Sequence, residues 1–367
     1  MSKEDKKMNR ITSIDALRGF DMLIIIFLDH FFKALNVGIG SPFTKSLANQ
    51  FDHPEWFGST FYDIVMPLFL FIVGAAIPFA LTKRKQQHNS LSSIYIKLIK
   101  RFLILFVLGW IVQGNLLELN ADTFSVFSNT LQAIAVGYIF SGIAFIHFKL
   151  HTRIILFGVS LLLYYFLLTI PDVPGVGNAV LLPESSFAWY LDQIVLGDFQ
   201  DGTQYTWILS GLGFFATTLS GVFAGELIIS GLHRQKIALY LFLIGIASVS
   251  AGVLLGNWHP IIKKLWTSTF VLSSSGISYI LLSIFYWIID VKGISKWAFP
   301  LKVIGMNAIA AYVLSHVFNF HLIAEMVLFG LKQFTGNFYY LLLTIGGFSI
   351  LYLILWYLYK NKTFIKV

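Results

Sequence analysis

Long apolar stretches recur along the chain, separated by short polar breaks and running for about 20 residues each. A helix rising ~1.5 Å per residue crosses a ~30 Å hydrocarbon layer in about that length. The pattern predicts membrane-spanning helices near 16–36, 58–82, 97–116, 128–147, 152–171, 206–230, 237–256, 269–290, 300–319 and 338–359. The stretch HLIAEMVLFGLKQF (321–334) is shorter and carries Glu325 and Lys332, so it is expected to be an interfacial or re-entrant helix before the last span. The predicted fold class is all-α: a polytopic membrane protein of about ten helices forming a single transmembrane domain over residues 1–367. Residues 1–12 read as a tail. The segment 172–205 reads as the longest loop between spans, acidic and rich in Gly and Pro. No internal repeat of the kind common in secondary transporters stands out.

Composition agrees: 57% of residues are hydrophobic and only 12% charged, about half the charged share of a soluble domain. Lys and Arg cluster around Lys3–Arg10, 83–85, Lys97/Lys100/Arg101, Lys149/Arg153, Arg234/Lys236, Lys292/Lys296/Lys302 and Lys360/Lys362/Lys366. With ten spans and both termini cytoplasmic, about 21 of the 26 basic residues fall inside and about 5 outside. The 172–205 loop is then extracytoplasmic. The net charge of +8 is a topology signal and an attraction to anionic lipid, so the expected macromolecular partner is the bilayer and not nucleic acid. Asp21 and Asp29 interrupt the first apolar run, which is therefore expected to be retained rather than cleaved as a signal peptide. The absence of cysteine excludes disulfides and thiol chemistry. A basic, aromatic-rich chain of this kind suggests a bacterial inner membrane.

Polar groups inside apolar runs are costly and need a reason. On the first helix Arg18 lies near the cytoplasmic end and Asp29–His30 near the outer end, about 16 Å apart by helical rise. His53 precedes Pro54, which holds it in extended backbone outside any helix. Asp63 follows in the second apolar run, where a carboxylate needs a partner, and His53 and His30 are the candidates. Other polar groups gather at helix ends: Gln113 and Asn115, Asn129 and Gln132, the run NWHPIIKKLW with His259, Lys263, Lys264 and Trp266, and Asn307, Tyr312 and His316. Interfacial anchoring and helix–helix bonding account for such positions equally well, and His259 and His316 are read as packing residues. The G-x-S-x-G, Walker, H-E-x-x-H and G-x-G-x-x-G patterns are missing, so no metal is expected.

SIDALRG, HPEWFGSTFYDIVMPLFLFIVG, LWTSTFVLSSSG, VKG and GMNAIAAYVLSHVF, in this order, resemble the heparan-α-glucosaminide N-acetyltransferase family and its bacterial relatives, some labelled N-acetylglucosamine-related transporters. The long pattern H-x-x-W-x-G-x-x-x-x-D-x-x-x-P is the most specific part. The resemblance covers the chain from about residue 11 onward. It implies an acyltransferase that passes an acetyl group from cytoplasmic acetyl-CoA to the amine of a glucosamine-type sugar on the outer side. The family's catalytic histidine falls on His53, acting as base or acyl carrier, with Asp63 or Asp29 orienting it. Arg18, with Lys83, Arg84, Arg101 or Lys302, is expected to meet the phosphates of CoA. Asn307 and Trp266 fall in family segments that could line the donor path, and Trp56, Asn115, Gln132 and Asp192 are the expected acceptor contacts. Where family members have Asn, Arg, Arg and Asn, this chain has Asp29, Ala133, Gln193 and Ile262, and the histidine of the ninth span is offset by one, at His316. These departures allow a different acceptor or acyl group. The resemblance also allows a homodimer, although no clean G-x-x-x-G stripe names an interface.

Two further readings stay open on the sequence. One is an amino-sugar transporter without acyl transfer. The other keeps the enzyme but makes His30 the base, because Arg18 and His30 nearly reproduce the Arg–His spacing of the wider membrane acyltransferase group.

Overall fold

An apolar segment in hydrocarbon must satisfy its backbone internally, which leaves the helix as its solution. The structure, a computed structural model, describes residues 11–86, 90–114, 116, 120 and 123–364. Asn115 lies outside these residues, and the side chains of Lys83 and Arg84 likewise lie outside the description. The described residues contain no β-strand, only two isolated bridges. Helix α1 (Thr12–Leu23) passes through a π-helical turn (Ile24–Leu28) into α2 (Asp29–Ile39), followed by the short α3 (Pro42–Asn49). Then come α4 (Val65–Gln86), α5 (Leu91–Gln113), α6 (Thr130–His147), α7 (Leu150–Thr169) and α8 (Phe187–Leu196). The remainder comprises α9 (Gly211–Ile229), α10 (Arg234–Leu255), α11 (Ser268–Tyr286), α12 (Phe299–Met306), α13 (Ala308–Val317), α14 (Phe320–Leu328), α15 (Lys332–Thr335) and α16 (Tyr339–Lys360).

All ten expected intervals fall on helices. Eight of these, among the described residues, are long and apolar enough to cross a membrane, and the pair α12–α13 makes a ninth if taken as one bent span. α5 is equally long but carries Lys97, Lys100 and Arg101 in its first half. Three details depart from the expectation. The second span does not begin at 58: residues 58–61 are loop, and the helix starts with a 3-10 turn at Tyr62–Ile64. The ninth interval is broken by 63° between α12 and α13. There Asn307 leaves helical backbone, and its amide donates to Val303 O, a carbonyl that the break would strand, and to Leu355 O of α16. The 172–205 loop contains a helix of its own, α8. The 321–334 stretch forms the short helices α14 and α15, and α14 packs through Ala324 against Tyr339 and Leu343 of α16.

The bundle is layered. The spans Tyr62–Thr82, Thr130–His147, Gly211–Ile229 and Ser268–Val291 are mostly buried, whereas Leu150–Thr169 and Arg234–Leu255 turn most of their apolar side chains outward, as helices facing lipid do. The central contact is α4 on α9. A Cβ on Gly221 would sit 2.0 Å from Phe71 O, and one on Gly225 2.3 Å from Ala75 O. Gly221 and Gly225 are a G-x-x-x-G pair, contrary to the expectation that the chain has no clean one, and it is spent inside the chain, where it lets two backbones touch. The buried Arg153–Glu226 pair, 2.7 Å apart, ties α7 to α9. Because the atom opposing Gly221 is backbone and cannot swing away, Gly221→Ala should cost about 1–3 kcal/mol of stability, read as a lower unfolding temperature of the purified protein. Ala224→Gly on the same helix serves as the comparison for general loosening.

Candidate active site

His53 belongs to the loop between α3 and α4, and local bonds account for its shape. Pro54 keeps it extended, Thr60 Oγ1 donates to Asp52 O at 2.7 Å, and Tyr62 N donates to Gln50 O at 3.0 Å. Asp63 lies in the first turn of the following helix and is fully buried. Its Oδ2 accepts from Thr60 N at 2.9 Å, a reach back to the start of the helix like that of a capping box. Its Oδ1 lies 2.6 Å from His53 Nδ1. A bond that short to a carboxylate requires a proton on Nδ1, which leaves Nε2 as the nitrogen available for chemistry.

The third member comes from the loop between α10 and α11. Lys263 Nζ lies 3.1 Å from Asp63 Oδ1 and 3.3 Å from His53 Nδ1. The Lys263 side chain is only 9% exposed, and the desolvation that comes with burial holds its ammonium below the usual lysine range, against the pull of Asp63. Many bonds dock this loop. Gly58 N donates to Ile261 O at 2.8 Å, Lys264 Nζ reaches Glu55 O and Gln204 Oε1, and Tyr164 and Ser210 both donate to Leu265 O. Trp266 turns the chain into α11 at φ 54, a left-handed value costly for a residue with a side chain, and its indole bonds Thr217 Oγ1.

A cavity of about 240 Å³ opens on this cluster, walled by His53, Lys263, Asn129, Asp201, Tyr205 and Trp207 among others. A larger cavity of about 740 Å³ adjoins it and shares Ile25, Tyr62 and His316 as walls; Asp29, His30 and His321 line it. Asp29 is held by Lys33 at 2.7 Å, and Lys33 also reaches Asp52. Of the two expected acids it is therefore Asp63 that bonds His53. His30 has its ring against His321 instead. His316, expected to do nothing but pack, borders both cavities.

The other expected positions are dispersed. Trp56 is buried and donates to Leu181 O. Gln132 is fully buried and caps α6, accepting from Ser128 N and Asn129 N. Asp192 is buried and accepts from the backbone of Trp207 and Ile208, so it holds a cavity wall in place. Trp266 and Asn307 are core residues. Arg18, next to Asp15, and Lys302 sit on the packed pair α1 and α12, whereas Arg101 lies over the Tyr138 ring, between α5 and α6. Lys263 is the residue that the sequence pattern undervalues. The available signal was its place beside the LWTSTF segment.

The comparisons with known proteins bear on the same elements. Human heparan-alpha-glucosaminide N-acetyltransferase is 25% identical over an alignment covering 98% of this chain, and the mouse protein is 24% identical over the same share. The chain is similar to the heparan-alpha-glucosaminide N-acetyltransferases along nearly its whole length. It spans about 60% of the length of these curated relatives. Residues 10–153, which carry His53 and Asp63, also match a domain family described as of unknown function, DUF5009. With its run of helices long and apolar enough to cross a bilayer, it is an integral membrane protein.

His259, in the same loop as Lys263, is 4% exposed, neither ring nitrogen has a hydrogen-bond partner, and its ring meets Tyr165 edge-on. Burial pushes it down to about 4. In the unfolded chain it takes a proton near 6.5, so below that pH the unfolded state binds the proton first and stability is lost progressively down to about pH 4, by up to about 3 kcal/mol. His259→Phe should remove this share of the acid sensitivity and leave stability at pH 7.5 equal or higher, checked by thermal unfolding in detergent between pH 4.5 and 7.5.

Proposed function

We propose that this chain is a transmembrane acyltransferase that moves an acyl group, acetyl by the analogy of its relatives, from cytoplasmic acyl-CoA to the amine of an amino sugar on the opposite side. The observation that carries the reading is the buried Asp63 carboxylate bonded to a half-exposed His53 at the wall of a cavity. The names of the relatives support the reaction class. In the relatives' terms the acceptor is a glucosamine. The small cavity, with its Trp207, Tyr205, Asn129 and Asp201 walls, has the aromatic and hydrogen-bonding character that a single sugar unit requires.

His53 Nε2 takes the proton that the amine gives up as the new C–N bond forms, and returns it when the C–S bond breaks and a thiol leaves. Asp63 orients the ring through Nδ1 and stabilises its charged form. If His53 instead carries the acyl group, the same nitrogen is the nucleophile. An acyl-CoA thioester supplies the activated carbonyl carbon. For its phosphates the chain offers cations at the end of the bundle away from His53: Lys296 and Lys302 beside one hollow, and Lys302, Lys360 and Lys362 beside its neighbour. Arg18 lies on α1, the helix packed against that of Lys302. Among the described residues no three His, Asp or Glu side chains are placed to share a metal ion. The positive-inside charge pattern supports a single transmembrane domain with its acidic 172–205 loop outside and both termini inside, and the basic, aromatic-rich composition is that of a bacterial inner-membrane protein.

Purified protein incubated with labelled acetyl-CoA and glucosamine should form the N-acetyl sugar. His53→Ala should lower the rate by about 100-fold or more, and Asp63→Asn by a similar factor with little change in acceptor KM. Label retained on the protein without acceptor, and lost in His53→Ala, marks the acyl-carrier route; product formed only in the ternary mixture marks direct attack. No transfer and no CoA binding, together with saturable sugar uptake into liposomes, would overturn the reading in favour of a transporter.

A further inference from the structure

The chemistry above gives Lys263 no task, yet its Nζ stands within bonding distance of both members of the His53–Asp63 pair. An ammonium has donors only. With a proton on His53 Nδ1 reaching Asp63 Oδ1, the 3.3 Å contact between Nζ and Nδ1 is not a hydrogen bond; both donors converge on the same carboxylate oxygen. The other oxygen accepts from Thr60 N at 2.9 Å, while the Thr60 hydroxyl, whose proton goes to Asp52 O, lies 3.3 Å away. The arrangement is closed around Asp63: two cation-capable groups on Oδ1, the Thr60 backbone donor on Oδ2, and His53 Nε2 left over. A neutral amine at the same place would be an acceptor. It would compete with Asp63 for the Nδ1 proton, and it would leave a fully buried carboxylate without its counter-ion.

We propose that Lys263 is a positioning residue whose ammonium form holds His53 in the tautomer with its proton on Nδ1, so that the site works while Lys263 is charged and shuts on the alkaline side when it is not. This rests on the function proposed above. Four groups surround the Lys263 ammonium. His53 and Asp63 face it directly, the Tyr205 ring lies 5.9 Å from Nζ, and Lys264 is its chain neighbour, with its own Nζ turned to Glu55 O and Gln204. Asp201 and Tyr62 line the same cavity. Burial and the like charge of Lys264 both bring deprotonation down from the ordinary lysine value of 10.5, while Asp63 resists it.

Two measurements test this. In the transfer assay the wild-type rate should fall on the alkaline side with a midpoint below 10.5. Lys263→Arg should move that limb up by about one pH unit or more and keep neutral-pH kcat within about ten-fold. Lys263→Met, which keeps the stem and loses the charge, should lower kcat at neutral pH by about 100-fold and remove the alkaline limb, while KM stays within about three-fold. An unmoved limb in Lys263→Arg, or full kcat in Lys263→Met, overturns the proposal. The second measurement needs no turnover: ¹⁵N-histidine spectra of the detergent-solubilised protein, with His53 assigned by its loss in His53→Ala. Wild type should carry the His53 proton on Nδ1 at neutral pH, and Lys263→Met should divide it between the two nitrogens. Identical tautomers in both overturn the proposal. A wild type that transfers nothing but shows the tautomer change overturns the acyltransferase reading alone.

Discussion

A carboxylate taken wholly out of water keeps its charge only if the protein surrounds it with donors, and Asp63 is the place where this chain meets that demand. Its partners come from the His53 loop, from the turn that starts α4, and from a loop about 200 residues later in sequence. In a medium of low dielectric each of these interactions is stronger than in water, and each absence is correspondingly expensive. The loop carrying Lys263 must therefore come down onto the loop carrying His53. The bond from Gly58 to Ile261, the reach of Lys264 to Glu55 and the anchoring of Leu265 by Tyr164 and Ser210 are the means.

Three departures from regular helix border the same place. The π-helical turn of the first span supplies Ile25 and Ile26 to the cavity walls, the broken pair α12–α13 supplies Ser315 and His316, and the left-handed Trp266 follows directly on the Lys263 loop. Irregular backbone at membrane depth is tolerable where it is buried in protein or borders a polar space. Here it does both. The glycine-pinned contact of α4 with α9, helical throughout although α4 carries Pro78, serves as the fixed frame.

The spans were legible because an apolar run of some 20 residues matches the thickness of a bilayer and exceeds what one helix of a soluble core usually buries. His53 was legible because Pro54 forbids it a helix. Asp63 was recognisable as an acid needing a partner, but the choice between His53 and His30 required coordinates. Trp56, Gln132 and Asp192 looked like ligand contacts for a sound reason, since polar groups beside apolar helices must be bonded to something. Their partners turned out to be backbone groups of this chain: loops and helix ends leave donors and acceptors unpaired, and these polar side chains are claimed by them. Lys263 and Lys264 read as one basic pair at a loop. That one turns into the site and the other to the outer loops is decided by how the segment docks, which no spacing in the sequence encodes.

The frame also bears on the choice between moving a sugar and moving an acyl group. Alternating access asks one bundle to rock against another around a fixed site. In this chain α4 and α9 meet with backbone against backbone, so sliding them would drive carbonyl oxygens into Cα atoms, and the Lys263–Asp63–His53 cluster fastens the α10–α11 loop to the start of α4. A reaction that carries only an acyl group between two sides needs none of that motion. It needs cations at one end to receive an anionic carrier, an imidazole at the other, and walls that stay still between them. The distribution of charge supports this division: Lys360 and Lys362 exposed beside the half-buried Lys302 at one end, and the buried Lys263 beside His53, whose environment gives the same side chain a different office.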